Sequence, residues 1–135
     1  MKMCIVATRG DHTSLVNLLS TVMAGAVSEM SVRVLLRNEA VVMVTRERIL
    51  RPVLSPLLAR DPDFPARLEA AGLCDLPALF RKTRAMGDVR FMACSSSLAT
   101  AGILPEELIG EIDEVRGFTS FLLEEISGSD ILLSF

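Results

Sequence analysis

The opening of the chain restricts the fold most. Cys4-Ile5-Val6-Ala7 is an unbroken apolar run, the signature of a strand covered on both faces. Thr8-Arg9-Gly10-Asp11 interrupts it. Leu15, Leu18, Leu19, Val22, Met23 and Ala26 then recur at helical spacing, which predicts an amphipathic helix from about Thr13 to Glu29. Val32 to Leu36 reads as a second strand. A strand, a helix of that length and another strand make a right-handed crossover with parallel strands.

The alternation persists to the end. Asp75 to Met86 is a helix stopped at Gly87, Val89 to Ala93 a third strand, and Ser95 to Ala101 a short helix closed by Gly102. Pro105 suits the first position of a further turn. Ile112 to Val115 is a short fourth strand, Phe118, Phe121, Leu122 and Ile126 mark one face of a last helix, and Ile131 to Phe135 closes the chain as a strand. This order predicts one α/β domain over residues 1–135, a parallel sheet with helices on both faces. Two segments are less regular. Ala40 to Val44 fits either a hairpin strand or the start of a helix. Pro52, Pro56, Pro62, Pro65 and Pro77 punctuate short helices and turns, a mobile flap or an arm for subunit contacts.

Half of the residues are hydrophobic and Trp and Tyr are absent, so the core must be aliphatic, with Met and Phe. No apolar run reaches the roughly 18 residues a membrane span needs. The start, with Lys2 and then Arg9 soon after, is unlike a secretion signal. A soluble cytoplasmic protein is expected, its surplus apolar surface hidden between subunits. The net charge of −3 comes from interspersed signs, which argues against a nucleic-acid face. The densest basic stretch, Arg81-Lys82-Thr83-Arg84, reads as a solvated helix face.

Three cysteines and one histidine, without C-x-x-C spacing, make no metal set, and no cofactor is expected. Cys4 lies inside a strand and is expected to be core filler. Cys94 differs. It ends the third strand, where open α/β sheets collect ligands, and begins a helix whose free N–H groups and dipole favour a thiolate. Small serines follow it and are expected to keep the sulfur accessible. The alternative is a Cys94 that merely fills space. Known thiol chemistries narrow the choice. A phosphatase loop would need Arg where Thr100 stands, and a thioredoxin-like dithiol would need Cys where Ser97 stands. A protease-like dyad has only His12 as base; following the first strand, His12 is either a neighbour of Cys94 at the same sheet edge or, as is commoner, a helix-start or surface histidine. What remains is a lone activated thiol, the chemistry of a persulfide carrier.

Met92-Ala93-Cys94-Ser95-Ser96-Ser97, Gly102-Ile103, Glu106-Glu107-Leu108-Ile109 and Gly117 with Phe118 to Leu122 resemble the DsrE/DsrF-like family of sulfur-relay proteins, in particular its stand-alone DsrE-type branch. The resemblance implies a three-layer α/β/α sandwich with a five-stranded parallel sheet. It also implies a homo-oligomer (trimer or hexamer), sulfur transfer through Cys94, and a TusA-like sulfur carrier or a rhodanese as partner. Thr8, Arg9, Gly10, His12, Ser95 and Ser97 are the expected pocket residues, with Arg9 offering positive charge to the thiolate or to an anionic donor. A second reading is a non-catalytic oligomeric module that binds a small anionic ligand at the same strand-end pocket. A redox thiol enzyme is a third, weakened by the missing partner cysteine.

Overall fold

The structure, a computed structural model, describes all residues from Met1 to Phe135. Five strands, β1 (Lys2–Ala7), β2 (Ser31–Leu36), β3 (Val89–Cys94), β4 (Ile112–Arg116) and β5 (Ile131–Ser134), form one sheet in the order β4-β3-β2-β1-β5. Every pairing is parallel. The continuous apolar runs are thus explained, because parallel strands are joined by crossovers that cover both faces. The three-layer α/β/α sandwich expected from the sequence is the architecture found.

The strand period of two divides the side chains between two cores. Met3, Ile5 and Ala7 of β1, Val32, Val34 and Leu36 of β2, and Val89, Phe91 and Ala93 of β3 face the larger one. There they meet α1 (His12–Val27) through Leu15, Leu18, Leu19 and Val22, and α5 (Leu76–Arg84) through Leu76 and Phe80. Phe80 meets Phe91 edge to face, with ring centroids 5.2 Å apart. Cys4, Leu35, Met92 and Cys94 point the other way and are covered by Phe121 of α7 (Phe118–Glu124), with Val6, Phe118 and Ile126 at the margin. This second layer is thin, a short helix and one 3-10 turn.

Helix α1 starts one residue earlier than its periodicity predicts, because Asp11 caps it: the carboxylate accepts from the Ser14 N–H and hydroxyl. Asp75 caps α5 in the same way through Ala78 N–H. The ambiguous stretch is helical, α2 (Glu39–Met43), and buries Ala40, Val41 and Met43. Tertiary packing overrides the strand preference of its valines. The proline-rich arm contains a 3-10 turn at Arg48–Leu50, then α3 (Pro56–Ala59) and α4 (Phe64–Ala70). It carries exposed Leu50, Val53 and Leu57. No helix is long and apolar enough to cross a membrane.

Candidate functional site

The register brings the site together. Ala7 aligns with Leu36, Leu36 with Ala93, and Cys94 with Arg116. One step further along the strands, Thr8, Arg37 and Cys94 therefore share the carboxyl edge of the sheet. Cys94 is both the last residue of β3 and the N-cap of α6 (Ser95–Ala101). Helix α6 ends as expected at Gly102, whose φ of 67° needs the left-handed region.

Burial alone would push the Cys94 thiol up. The Ser96 hydroxyl, the N–H and hydroxyl of Ser97 and the Arg37 guanidinium more than offset this and hold it down at about 7, against an ordinary 9.0. The Ser96 oxygen lies 3.2 Å from the sulfur. About half of the thiol is then ionised at neutral pH, where an ordinary cysteine would be almost wholly protonated. Cys4 is the contrast. It is just as buried, but burial dominates and raises its thiol above 9.0. The two thiols share one core; at Cys4 the Ser129 hydroxyl and the charges of Lys2 and Arg33 do not overcome burial, whereas at Cys94 the donors do.

Ser97 is buried and does more than line the site. Its hydroxyl accepts from Asn38 N–H at 3.0 Å and lies 3.4 Å from Asn38 Oδ1. This ties α6 to the turn after β2, so the Cys94 N-cap and Arg37 are held at a fixed spacing. Asn38 accepts a φ of 51° to make the turn. Arg37 is the residue that sequence reading missed. Its guanidinium carbon lies 4.5 Å from the centre of the Phe118 ring, and no carboxylate pairs with it. Its Nε is a buried donor with no acceptor. With Asn38, Ser96, Ser97 and Thr100 it lines a cleft of about 490 Å³.

The other expected residues divide. Gly10 is needed for close approach: a Cβ there would sit 2.6 Å from the Glu39 carbonyl oxygen, so α2 packs onto the β1 turn only because the side chain is absent. Thr8 anchors the last strand, donating its N–H and hydroxyl to Phe135 O. Ser95 is exposed and makes no hydrogen bond to the thiol. The Arg9 side chain is 69% exposed and lies 3.8 Å from Asp11. The guanidinium acting on Cys94 is that of Arg37, which the register places beside it. His12 is not brought to the thiol at all. Its Nε2 lies 2.7 Å from Leu73 O and its ring lines a separate cleft under the proline-rich arm, because α1 carries it to the face occupied by α5. The accessibility expected of Cys94 also needs correction. The sulfur has 0% exposure, packed beneath Phe118 and Phe121.

The fold has parallels among known proteins. A family model described as the DsrE/DsrF-like family matches residues 1–133. Among solved structures, a protein of unknown function, MTH1491 from Methanobacterium thermoautotrophicum, superposes with a TM-score of 0.63 at 16% identity, over 98% of this chain and 97% of that one. At that identity the likeness speaks for the fold alone. No curated protein matches the chain.

Proposed function

Since this chain belongs to the DsrE/DsrF-like family, we propose that it carries sulfane sulfur as a persulfide on Cys94 and passes it to a partner protein, acting as a sulfur-carrier or sulfurtransferase subunit. The observation that carries this reading is the Cys94 thiol itself, held at about 7 in an apolar core by Ser96, Ser97 and Arg37. At Cys4, by contrast, burial outweighs the Ser129 hydroxyl and the charges of Lys2 and Arg33.

The Cys94 thiolate attacks the outer sulfur of a donor persulfide, R–S–SH. A bond forms between Sγ and that sulfur, the donor S–S bond breaks, and the donor leaves as a thiolate. The proton stays on the transferred sulfur, and no external oxidant or reductant is consumed. An acceptor thiolate on the partner then repeats the exchange in the opposite sense. Keeping the sulfur requires that no second thiol attack the Cys94 persulfide. Cys4 is held protonated by burial, and Cys74 belongs to the arm, with His12, in the separate cleft. Arg37 and the Ser96 and Ser97 hydroxyls stabilise the anion before and after loading.

The reading includes a cytoplasmic homo-oligomer, trimer or hexamer, that exchanges sulfur with a TusA-like carrier or a rhodanese. Exposed Leu50, Val53 and Leu57 support a subunit contact on the arm. Arg37, Asn38, Ser96 and Ser97 shape the cleft beside Cys94 in this reading. The test is intact-protein mass spectrometry after incubation with glutathione persulfide or polysulfide. The protein should gain one sulfur that dithiothreitol removes, and Cys94→Ser should gain none while keeping its fold. Uptake that persists in Cys94→Ser would transfer the role to another thiol.

A further inference from the structure

Cys94 is held ready to ionise and yet is wholly buried. No reagent, donor or partner thiol meets its sulfur unless the cover moves. That cover is α7, with Phe121 packed in the same small core and Phe118 at its margin. Little else holds the helix down. Phe121 is its only buried residue, Leu122 and Leu123 face solvent, and its N-cap, Gly117, has no side chain to cap it. A helix of seven residues is unstable on its own.

The fastening lies just past the C-terminus of α7. The Glu125 carboxylate accepts from Arg116 Nη1 at 2.9 Å and stands 2.6 Å from Lys2 Nζ and 3.8 Å from Arg33 Nε. Lys2 belongs to β1, Arg33 to β2 and Arg116 to β4, so one carboxylate grips three strands. The four side chains are only 14% to 24% exposed, which shelters the pairs from screening. Arg116 also reaches Glu124, the last residue of α7, at 3.3 Å. The chain therefore leaves the sheet at Arg116, the register partner of Cys94, and is brought back to the same guanidinium. Arg33 and Arg116 have other carboxylates, Asp88 and Glu114. Those two cations stay paired when Glu125 departs, and an ion that moves into water loses no solvation. Such a contact can open and close again.

We propose that α7 is a lid over Cys94, latched by Glu125 onto Lys2, Arg33 and Arg116, and that the thiol reacts only while the latch is open. The lid holds whether or not Cys94 carries sulfur, since access limits any chemistry at that atom.

The test is alkylation of the full chain by iodoacetamide at about pH 9, well above the Cys94 midpoint, followed thiol by thiol by mass spectrometry. The reagent is neutral, so the loss of a charge does not steer it, and exposed Cys74 is the internal reference. Glu125→Gln keeps the shape of the side chain and removes its charge; it should speed Cys94 alkylation by about tenfold, in proportion to the uncovered fraction. Lys2→Met removes one cation and leaves the carboxylate, so a smaller rise of about threefold is expected. It also carries the test if Glu125→Gln does not fold. Cys74 should react at the wild-type rate in both. The N–H groups of Phe121 and Glu125 donate to Gly117 O and Phe121 O within the lid. Their hydrogen exchange should quicken in step with alkylation, while the amides of β3 keep their protection. Unchanged Cys94 rates in the folded variants would overturn the proposal. So would faster alkylation accompanied by faster exchange throughout β3, which would mark a general loosening of the sheet.

Discussion

At the scale of single residues, what distinguishes Cys94 is a contest between burial and hydrogen bonding that the donors win. The sign of the resulting pH dependence follows from the depressed pKa. A thiol that ionises at about 7 in the folded chain and near 9.0 when free adds stability that is fully present above the unfolded value. That stability is lost as pH falls from about 9 through about 7. Two units correspond to roughly 2–3 kcal/mol, so wild type should gain that much relative to Cys94→Ser between pH 6.5 and 9, measured by urea denaturation. A flat difference would show that the thiolate is not stabilised. Alkylation of Cys94 should rise with a midpoint near 7, and Arg37→Gln should shift that midpoint upward. Arg9→Ala should leave it in place, because Arg9 is exposed and beside Asp11. The buried sulfur adds a second expectation. The Phe118 ring, stacked under Arg37, helps cover the thiol, and only the uncovered fraction reacts. Phe118→Ala should therefore speed alkylation by about tenfold at a pH well above the midpoint, where the thiol is already ionised. An unchanged rate would move the cover to Phe121.

At the scale of elements, the turn after β2 organises the site, and it is where sequence reading was weakest. Asn38 adopts φ 51° and ψ −127° so that its N–H reaches Ser97 while α2 begins at the next residue. Glycine takes this conformation without strain, whereas other side chains pay about 1–2 kcal/mol. Asn38→Gly should accordingly be more stable than Asn38→Ala by about 1 kcal/mol in chemical denaturation. Equal stability would show that the Asn38 side chain, not its backbone, sets the turn. The strands and α1 were legible because their periods are long and regular, and the Cys94–Ser97 block because it sits where one period changes into another. Arg37 was not legible. It is one of many arginines, it follows an apolar run with no motif around it, and only the alignment of Leu36 with Ala93 brings it next to Cys94. His12 misled for the opposite reason. Its position after β1 suggests the sheet edge, but one helical turn of α1 places its ring against Leu73, and nothing local in the sequence states which way that turn faces. Ala40 to Val44 was ambiguous because β-branched residues suit strands, and the deciding fact, the absence of a side chain at Gly10, lies thirty residues away by roughly one packed contact.

At the scale of the whole molecule, the question is where the remaining apolar surface goes. The sequence suggests subunit contacts between Val41 and Leu58, and the fold divides that stretch. Val41, Met43, Val44 and Ile49 belong to the chain's own core, whereas Leu50, Val53 and Leu57 are 71%, 55% and 77% exposed. Burying one such side chain contributes about 1.5–3 kcal/mol, so three on each subunit suffice to favour association if the partner surface is complementary. Competing apolar surface lies on the thin face, at Leu122 and Leu123 of α7 and Leu132 of β5. Light scattering at micromolar concentration should show an oligomer for wild type. The double change Val53→Glu with Leu57→Glu removes two of the three contacts and introduces buried charge, which should weaken association by about two orders of magnitude or more and yield a monomer. The fold should survive, since both positions are exposed in the single chain. A wild-type monomer would mean that the arm is exposed for another purpose. An oligomer unaffected by the double change would place the contact on α7 and β5, on the face that also covers Cys94.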